Sequence, residues 1–409
     1  MKAILMSPGI YHLGVNIMNG DLFEGLWPIP DGVSLNSYLV KGDKTALIDM
    51  VRDWDNAPLT LKQELGGIDM SFADLDYLVI NHMEPDHTGW MNGLLSQNPK
   101  LQILTTQKAA ALLGAFYSIT ENIRVVTTGD TLDLGQGKVL TFYDTPNVHW
   151  PETMMTYESS SGTLFSCDAF GSFGALGDAV FDDQISDDKH EFYEKETLRY
   201  YANIVASFSS FVLKAIDKLK DLDIRVIAPS HGLIWREKPQ EIIQRYINYA
   251  GYASGPAEPE ITVVWGSMYG NTREVLNEVI RGVRSEQVKV HVHQVPNEDV
   301  SYVLASAWKS TGIILGMPTY EYKMFPPMAY VLDIFERKHV KNKQAFRFGS
   351  WGWSGGAQKE CDARSTPLKW DFLESVEWQG RASEEVTKLA YSRGQELARE
   401  VKRLCGGAR

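Results

Sequence analysis

The sequence predicts an α/β chain of two domains. The first would be two β-sheets covered by helices, and the second a doubly wound parallel sheet. Three observations lead there. At 409 residues the chain exceeds what one hydrophobic core holds. The run Gly251-Tyr252-Ala253-Ser254-Gly255-Pro256-Ala257-Glu258-Pro259-Glu260 separates a helical stretch from a strongly β one, as a linker does. The hydrophobic rhythm also changes across that seam, which gives domains 1–254 and 255–409.

Before the seam, short β-like runs follow one another quickly at 33–40, 45–49, 77–80, 102–104, 125–127, 139–143, 154–157 and 163–165. Helical patterns fall at 57–65 and 107–115. Apolar residues three and four apart predict one long amphipathic helix over 191–219. Strands in runs with interleaved helices suggest two covered sheets. After the seam, strand and helix alternate strictly. Strands are expected at 261–265, 288–294, 312–315 and 344–348, and helices at 272–284, 332–338 and 384–404. Such a sheet binds ligands at the carboxyl ends of its strands.

Composition excludes several functions. A net charge of −12 argues against a nucleic-acid partner, which needs clustered Lys and Arg. Cys167, Cys361 and Cys405 include no C-x-x-C pair, so neither a disulfide framework nor a cysteine-ligated metal is expected. The early apolar run 3–6 is too short for a secretory signal, and no segment approaches the roughly 18 apolar residues of a membrane span. A cytoplasmic protein is expected.

His82-Met83-Glu84-Pro85-Asp86-His87 leaves the strand at 77–80 with four potential metal ligands in six residues. His149, Asp168 at the end of a strand, and His231 after another strand complete the set. Four imidazoles and three carboxylates without a thiolate suit iron, manganese or zinc, and residue type does not choose among them. Asp49, also at a strand end, is either a support for this site or a plain turn residue. The ordered set resembles the metallo-β-lactamase-like domain of flavodiiron proteins, with its αββα sandwich. Zinc hydrolases of that fold usually read His-x-His-x-Asp-His, whereas this chain carries Glu84 at the second His. The resemblance implies His82, Glu84 and His149 on one iron, Asp86, His87 and His231 on the other, and Asp168 bridging. It also aligns Glu24 with a pocket-lining histidine of many members.

Ser267-Met268-Tyr269-Gly270-Asn271-Thr272 follows the strand at 261–265 and opens a helix. It presents N–H groups and hydroxyls to a phosphate. The segment is neither the dinucleotide fingerprint nor a P-loop, so a monophosphate, FMN, fits better. Pro318-Thr319-Tyr320 and Ser350-Trp351-Gly352-Trp353, with Gly355 and Gly356, end two further strands with glycines and ring-stacking aromatics. This half resembles the family's flavodoxin-like domain. The resemblance implies an oxidoreductase reducing O₂ to water, NO to N₂O, or both. Its di-iron site would be reloaded by FMN in a head-to-tail homodimer or dimer of dimers. Lacking C-x-x-C, the chain would draw on an external donor, a separate rubredoxin ahead of a deazaflavin coenzyme. A zinc-dependent hydrolase of the same fold and a flavodoxin-type electron carrier are the competing readings.

Overall fold

The computed structural model describes residues 2–406. Two compact units are present, Met1–Tyr201 with Ser210–Ile247, and Ala202–Ser209 with Asn248–Arg409.

The first unit holds two sheets. Strands β1 (Ile4–Ser7), β2 (Ile10–Ile17), β3 (Val33–Lys41), β4 (Thr45–Ile48), β5 (Tyr77–Val79), β6 (Gln102–Thr105) and β7 (Ile123–Val125) lie side by side in that order. The pairing is antiparallel up to β4 and parallel from there on. The second sheet is β8 (Thr131–Asp133), β9 (Val139–Asp144), β10 (Met154–Glu158), β11 (Thr163–Cys167) and β12 (Val226–Pro229). Every residue of β10 and β11 is buried, as expected of strands covered on both faces.

The second unit is a parallel sheet of β13 (Glu258–Trp265), β14 (Lys289–Gln294), β15 (Ser310–Gly316), β16 (Gln344–Trp351), β17 (Asp371–Phe372) and β18 (Val376–Gln379). Its order is β14-β13-β15-β16-β17, with β18 also pairing β16. Ile261, Val263, Ile314, Phe346 and Phe348 form its core with Val279 of helix Asn271–Ser285 and Leu397 of helix Glu384–Gly406. The α/β class, with a doubly wound sheet in the second half, is as the sequence led us to expect.

The long helix expected over 191–219 is a correction. Helix Asp187–Tyr200 ends in a π-helical turn, Tyr201–Val205, then a 3₁₀ turn, before helix Ser209–Leu219. Residues Ala202–Ser209 belong to the second unit, where Asn203 Nδ2 donates to Ser301 Oγ at 3.1 Å. Tertiary packing, which periodicity does not carry, breaks the helix there.

Lys343 is buried at the start of the β16 region, and its Nζ donates to Trp308 O (2.9 Å) and Ser310 O (2.7 Å). Burial lowers its pKa from 10.5 to about 7. A neutral amine has two N–H donors, which matches the two carbonyls. Between pH 7 and 10.5 the unfolded chain therefore binds one more proton than the folded chain, so stability rises with pH across that window. The steepest slope is about 1.4 kcal/mol per pH unit. Urea titrations of wild type and Lys343→Met from pH 7 to 10 are expected to diverge in favour of the wild type. Parallel midpoints would refute this.

Candidate metal centre and flavin pocket

The seven predicted ligands converge from loops at strand ends of both sheets. His82 follows β5, Asp86 and His87 sit on the short helix Pro85–Thr88, and His149 lies between β9 and β10. Asp168 follows β11 and His231 follows β12. Cys167 closes β11 at φ +52°, in the left-handed region, and turns the chain into Asp168.

Two sets of side chains share one carboxylate. His82 Nε2 lies 3.3 Å from Glu84 Oε2 and 3.3 Å from Asp168 Oδ2, and His149 Nε2 lies 3.0 and 3.1 Å from the same two oxygens. On the other side, His87 Nε2 and His231 Nε2 lie 3.0 and 3.2 Å from Asp168 Oδ1. His231 Nε2 is also 3.2 Å from Asp86 Oδ2, and His87 Nε2 is 3.5 Å from Asp86 Oδ1.

Asp168, His82 and His231 are almost wholly buried. Both Asp86 oxygens, Asp168 Oδ2 and His231 Nε2 have no hydrogen-bond partner, although buried polar atoms ordinarily do. Unsatisfied nitrogen and carboxylate oxygen atoms facing one another are a donor set for metal ions, so the residues fit a dinuclear centre. Burial opposes protonation of His149 and His231. The nearby carboxylates of Asp168, with Glu84 and Asp86 respectively, outweigh it and push the imidazoles up to about 9 and about 10. Burial also raises Glu84 and Asp168, yet the imidazoles around them hold both carboxyls below their ordinary values. The site is built to attract positive charge.

Several supporting residues escaped the sequence reading. Glu152 Oε1 accepts from His82 Nδ1 (2.8 Å) and Met83 N (3.0 Å), fixing the ring so that Nε2 faces the cluster. It stands three residues after His149, and that proximity was the available signal. Asp49, for which the sequence left a supporting role and a plain turn both open, accepts from Asn81 N (2.8 Å) and Asn81 Nδ2 (3.1 Å), holding the residue before His82.

Strand β3 does the same for His231. Ser34 O lies 2.8 Å from His231 Nδ1, and Tyr38 Oη donates to Pro229 O at 2.6 Å. Asn36 Nδ2 donates to Pro229 O (3.0 Å) and Gly232 O (2.9 Å), on either side of the ligand, while Asn36 Oδ1 is 3.1 Å from His12 Nε2. Every hydrogen-bonding position of that amide except one acceptor lone pair is in use. Asn36→Leu is expected to weaken metal binding about 10–100-fold, the usual cost of losing a ligand's support. Competition against a chelator would measure it, and wild-type affinity would rule the role out.

Glu24 is exposed, has φ +52°, and accepts from Trp27 Nε1 at 2.9 Å. The adjacent Phe23 is buried and packs edge-on against His231, with ring centroids 5.4 Å apart. The Tyr200 ring lies 5.7 Å from that of His231, and its buried hydroxyl has no hydrogen-bond partner.

In the second unit a cavity of about 390 Å³ opens at the carboxyl ends of β13, β15 and β16. Ser267, Met268, Tyr269, Asn271, Pro318, Thr319, Tyr320, Ser350, Trp351, Gly352 and Trp353 line it, joined by Glu321, Tyr322 and Ser354. Gly270 caps helix Asn271–Ser285 at φ +98°, and buried Thr272 Oγ1 lies 3.3 Å from Ser350 Oγ. Gly356 precedes helix Ala357–Ser365, whose Ala357 N donates to Thr319 Oγ1 at 3.3 Å. Gly270, Thr272, Gly355 and Gly356 are not among the lining residues. At the rim, Tyr322 meets Trp353 edge-on with centroids 4.5 Å apart. Unpaired N–H groups at a helix start and a rim of aromatic rings fit a phosphate-bearing flavin.

Residues 33–232 match the family model described as ODP family beta lactamase, and residues 263–394 match that of flavodoxin. The anaerobic nitric oxide reductase flavorubredoxin of Escherichia coli K12 is 35% identical over 374 residues, covering 90% of this chain and 76% of that protein. The Klebsiella pneumoniae protein of the same name is equally similar over 376 residues. Among solved structures, rubredoxin oxygen:oxidoreductase from Desulfovibrio gigas superposes with a TM-score of 0.91 at 27% identity, covering 99% of this chain and 100% of that one. The flavodiiron protein from Giardia intestinalis gives 0.93 at 25% identity, over 100% and 98%.

Proposed function

The chain belongs to the flavodiiron protein family, and we propose that its clustered side chains hold the di-iron centre at which nitric oxide or dioxygen is reduced. It is an oxidoreductase with iron and FMN as cofactors. His82, Glu84 and His149 would hold one iron, Asp86, His87 and His231 the other, and Asp168 would bridge them. The observation that carries this reading is the division of Asp168, whose Oδ2 faces one set of imidazoles and whose Oδ1 faces the other.

Iron held there would supply a binding place for the gas, and iron and FMN together a store of electrons, four with four protons for O₂ to two waters, or two with two protons for two NO to N₂O and water. The protein's part is to hold and orient. Glu152 and Ser34 O fix two imidazoles, the apolar Phe23 ring excludes water on the His231 side, and the Tyr200 hydroxyl offers a proton donor there. Glu24, anchored by the Trp27 indole, is proposed as the carboxyl bordering the gas pocket. In the second unit the 267–272 turn would take the FMN phosphate, and the loops 318–320 and 350–356 its ring.

A rubredoxin-type donor is proposed for the electrons, supported by the names of relatives and by the absence of any C-x-x-C pair in these 409 residues. A head-to-tail homodimer or dimer of dimers in the cytoplasm completes the proposal. Among the described residues no helix is long and apolar enough to cross a membrane.

The test is anaerobic stopped-flow of the reduced protein against O₂ and NO separately, with iron and FMN quantified on the same sample. Iron in pairs, one FMN and rapid reoxidation by either gas are expected. Zinc in place of iron, or a flavin reoxidising no faster than free FMN, would overturn the assignment.

A further inference from the structure

We infer that Arg347 is a positioning residue for the flavin, pinning the floor of its pocket and favouring the reduced, anionic form of the ring. The inference rests on the FMN assignment above. In β16, Phe346 and Phe348 point into the sheet's apolar core, so Arg347 points to the opposite face, where it is 0% exposed. A guanidinium in that position is costly unless its partners are fixed and useful.

Its partners lead to the cavity. Arg347 Nη1 lies 2.7 Å from Glu377 Oε1 on β18 and donates to Gln358 Oε1 at 3.1 Å. Nη2 donates to Met317 O at 3.4 Å, and Nε has no partner. Met317 immediately precedes the lining segment 318–320. Gln358 sits in the first turn of the helix that follows the 350–356 loop. One side chain therefore braces two of the three loops that form the pocket. Arg347 itself lies three residues before the lining residue Ser350.

The charge has a second effect. Two electrons and one proton added to neutral oxidised flavin leave an anion. A buried cation beneath the loops stabilises that anion over the oxidised ring. Glu377 is partly exposed and opposes this effect.

The test uses the full-length apoprotein, titrated with FMN by fluorescence, together with the two-electron potential of the reconstituted protein. Wild type is expected to bind one FMN; failure there would sink the cofactor assignment itself. Arg347→Met should weaken reduced FMN about tenfold more than oxidised FMN, which lowers the potential by about 30 mV. Glu377→Gln should raise the potential. Arg347→Lys keeps the charge but loses the fork, so it should weaken oxidised FMN with little change in potential. A merely structural role would move the Arg347→Met and Glu377→Gln potentials in the same direction, and that result would overturn the inference. Wild-type affinities and potential in folded Arg347→Lys and Glu377→Gln would overturn it too, even if Arg347→Met fails to fold.

Discussion

Replacing Asp168 with Asn is expected to cost the protein at least about half its iron and to bring gas reduction to background, with FMN retained. The substitution keeps the shape of the side chain but removes the negative charge, and it turns one oxygen into an amide nitrogen that cannot serve as a ligand. Among the described residues, Asp168 is the only carboxylate that meets all four imidazoles, at 3.0–3.3 Å. Either orientation of the amide therefore deprives one set of its oxygen. The loss should exceed the 10–100-fold typical of supporting residues, because a direct contact is removed. Metal analysis with flavin absorbance on the same sample decides the matter. Full iron content in Asp168→Asn would show that the carboxylate does not bridge.

The second large effect is expected on the flavin side, from Gly349→Ala. A Cβ at Gly349 would stand 1.7 Å from Met317 O and 2.7 Å from Met317 C. That contact is with backbone, which is itself held because Met317 N donates to Phe348 O at 3.0 Å. The strand end and the 317–320 segment must therefore move apart, at about 1–3 kcal/mol for an overpacked core position. Both segments border the cavity, so FMN affinity should fall about tenfold or more while the metal content stays intact. Urea unfolding and FMN titration would show it; unchanged flavin binding would mean that the pocket tolerates the displacement.

Much of this was legible before any coordinates. The clustered residues proposed as metal ligands were readable because their chemistry is local. His82, Glu84, Asp86 and His87 sit within six residues, and His149, Asp168 and His231 each end or follow an apolar run. The loops proposed for the flavin were readable for the same reason, and most of their residues line one cavity. What stayed hidden is what acts at a distance. Nothing in the composition of β3 reveals that Ser34, Asn36 and Tyr38 hold the loop around His231, since that partnership exists only once the two sheets meet. Strand β2 was missed because His12, Gly14 and Asn16 interrupt its apolar pattern, although most of the strand is buried. Arg347 stands between two phenylalanines in the sequence, and its partners Met317, Gln358 and Glu377 meet it only in the fold.

The grip of β3 on His231 also bears on the order of events during synthesis. Ser34 and His231 are 197 residues apart in the chain. A nascent chain presents the His82–His87 segment long before the strand bearing His231 exists, and long-range closures of this kind come late in folding. Until then the proposed early ligands stand as an incomplete set, without the fourth imidazole. Completion of the proposed centre therefore waits on the closure that brings β3 against the loop bearing His231.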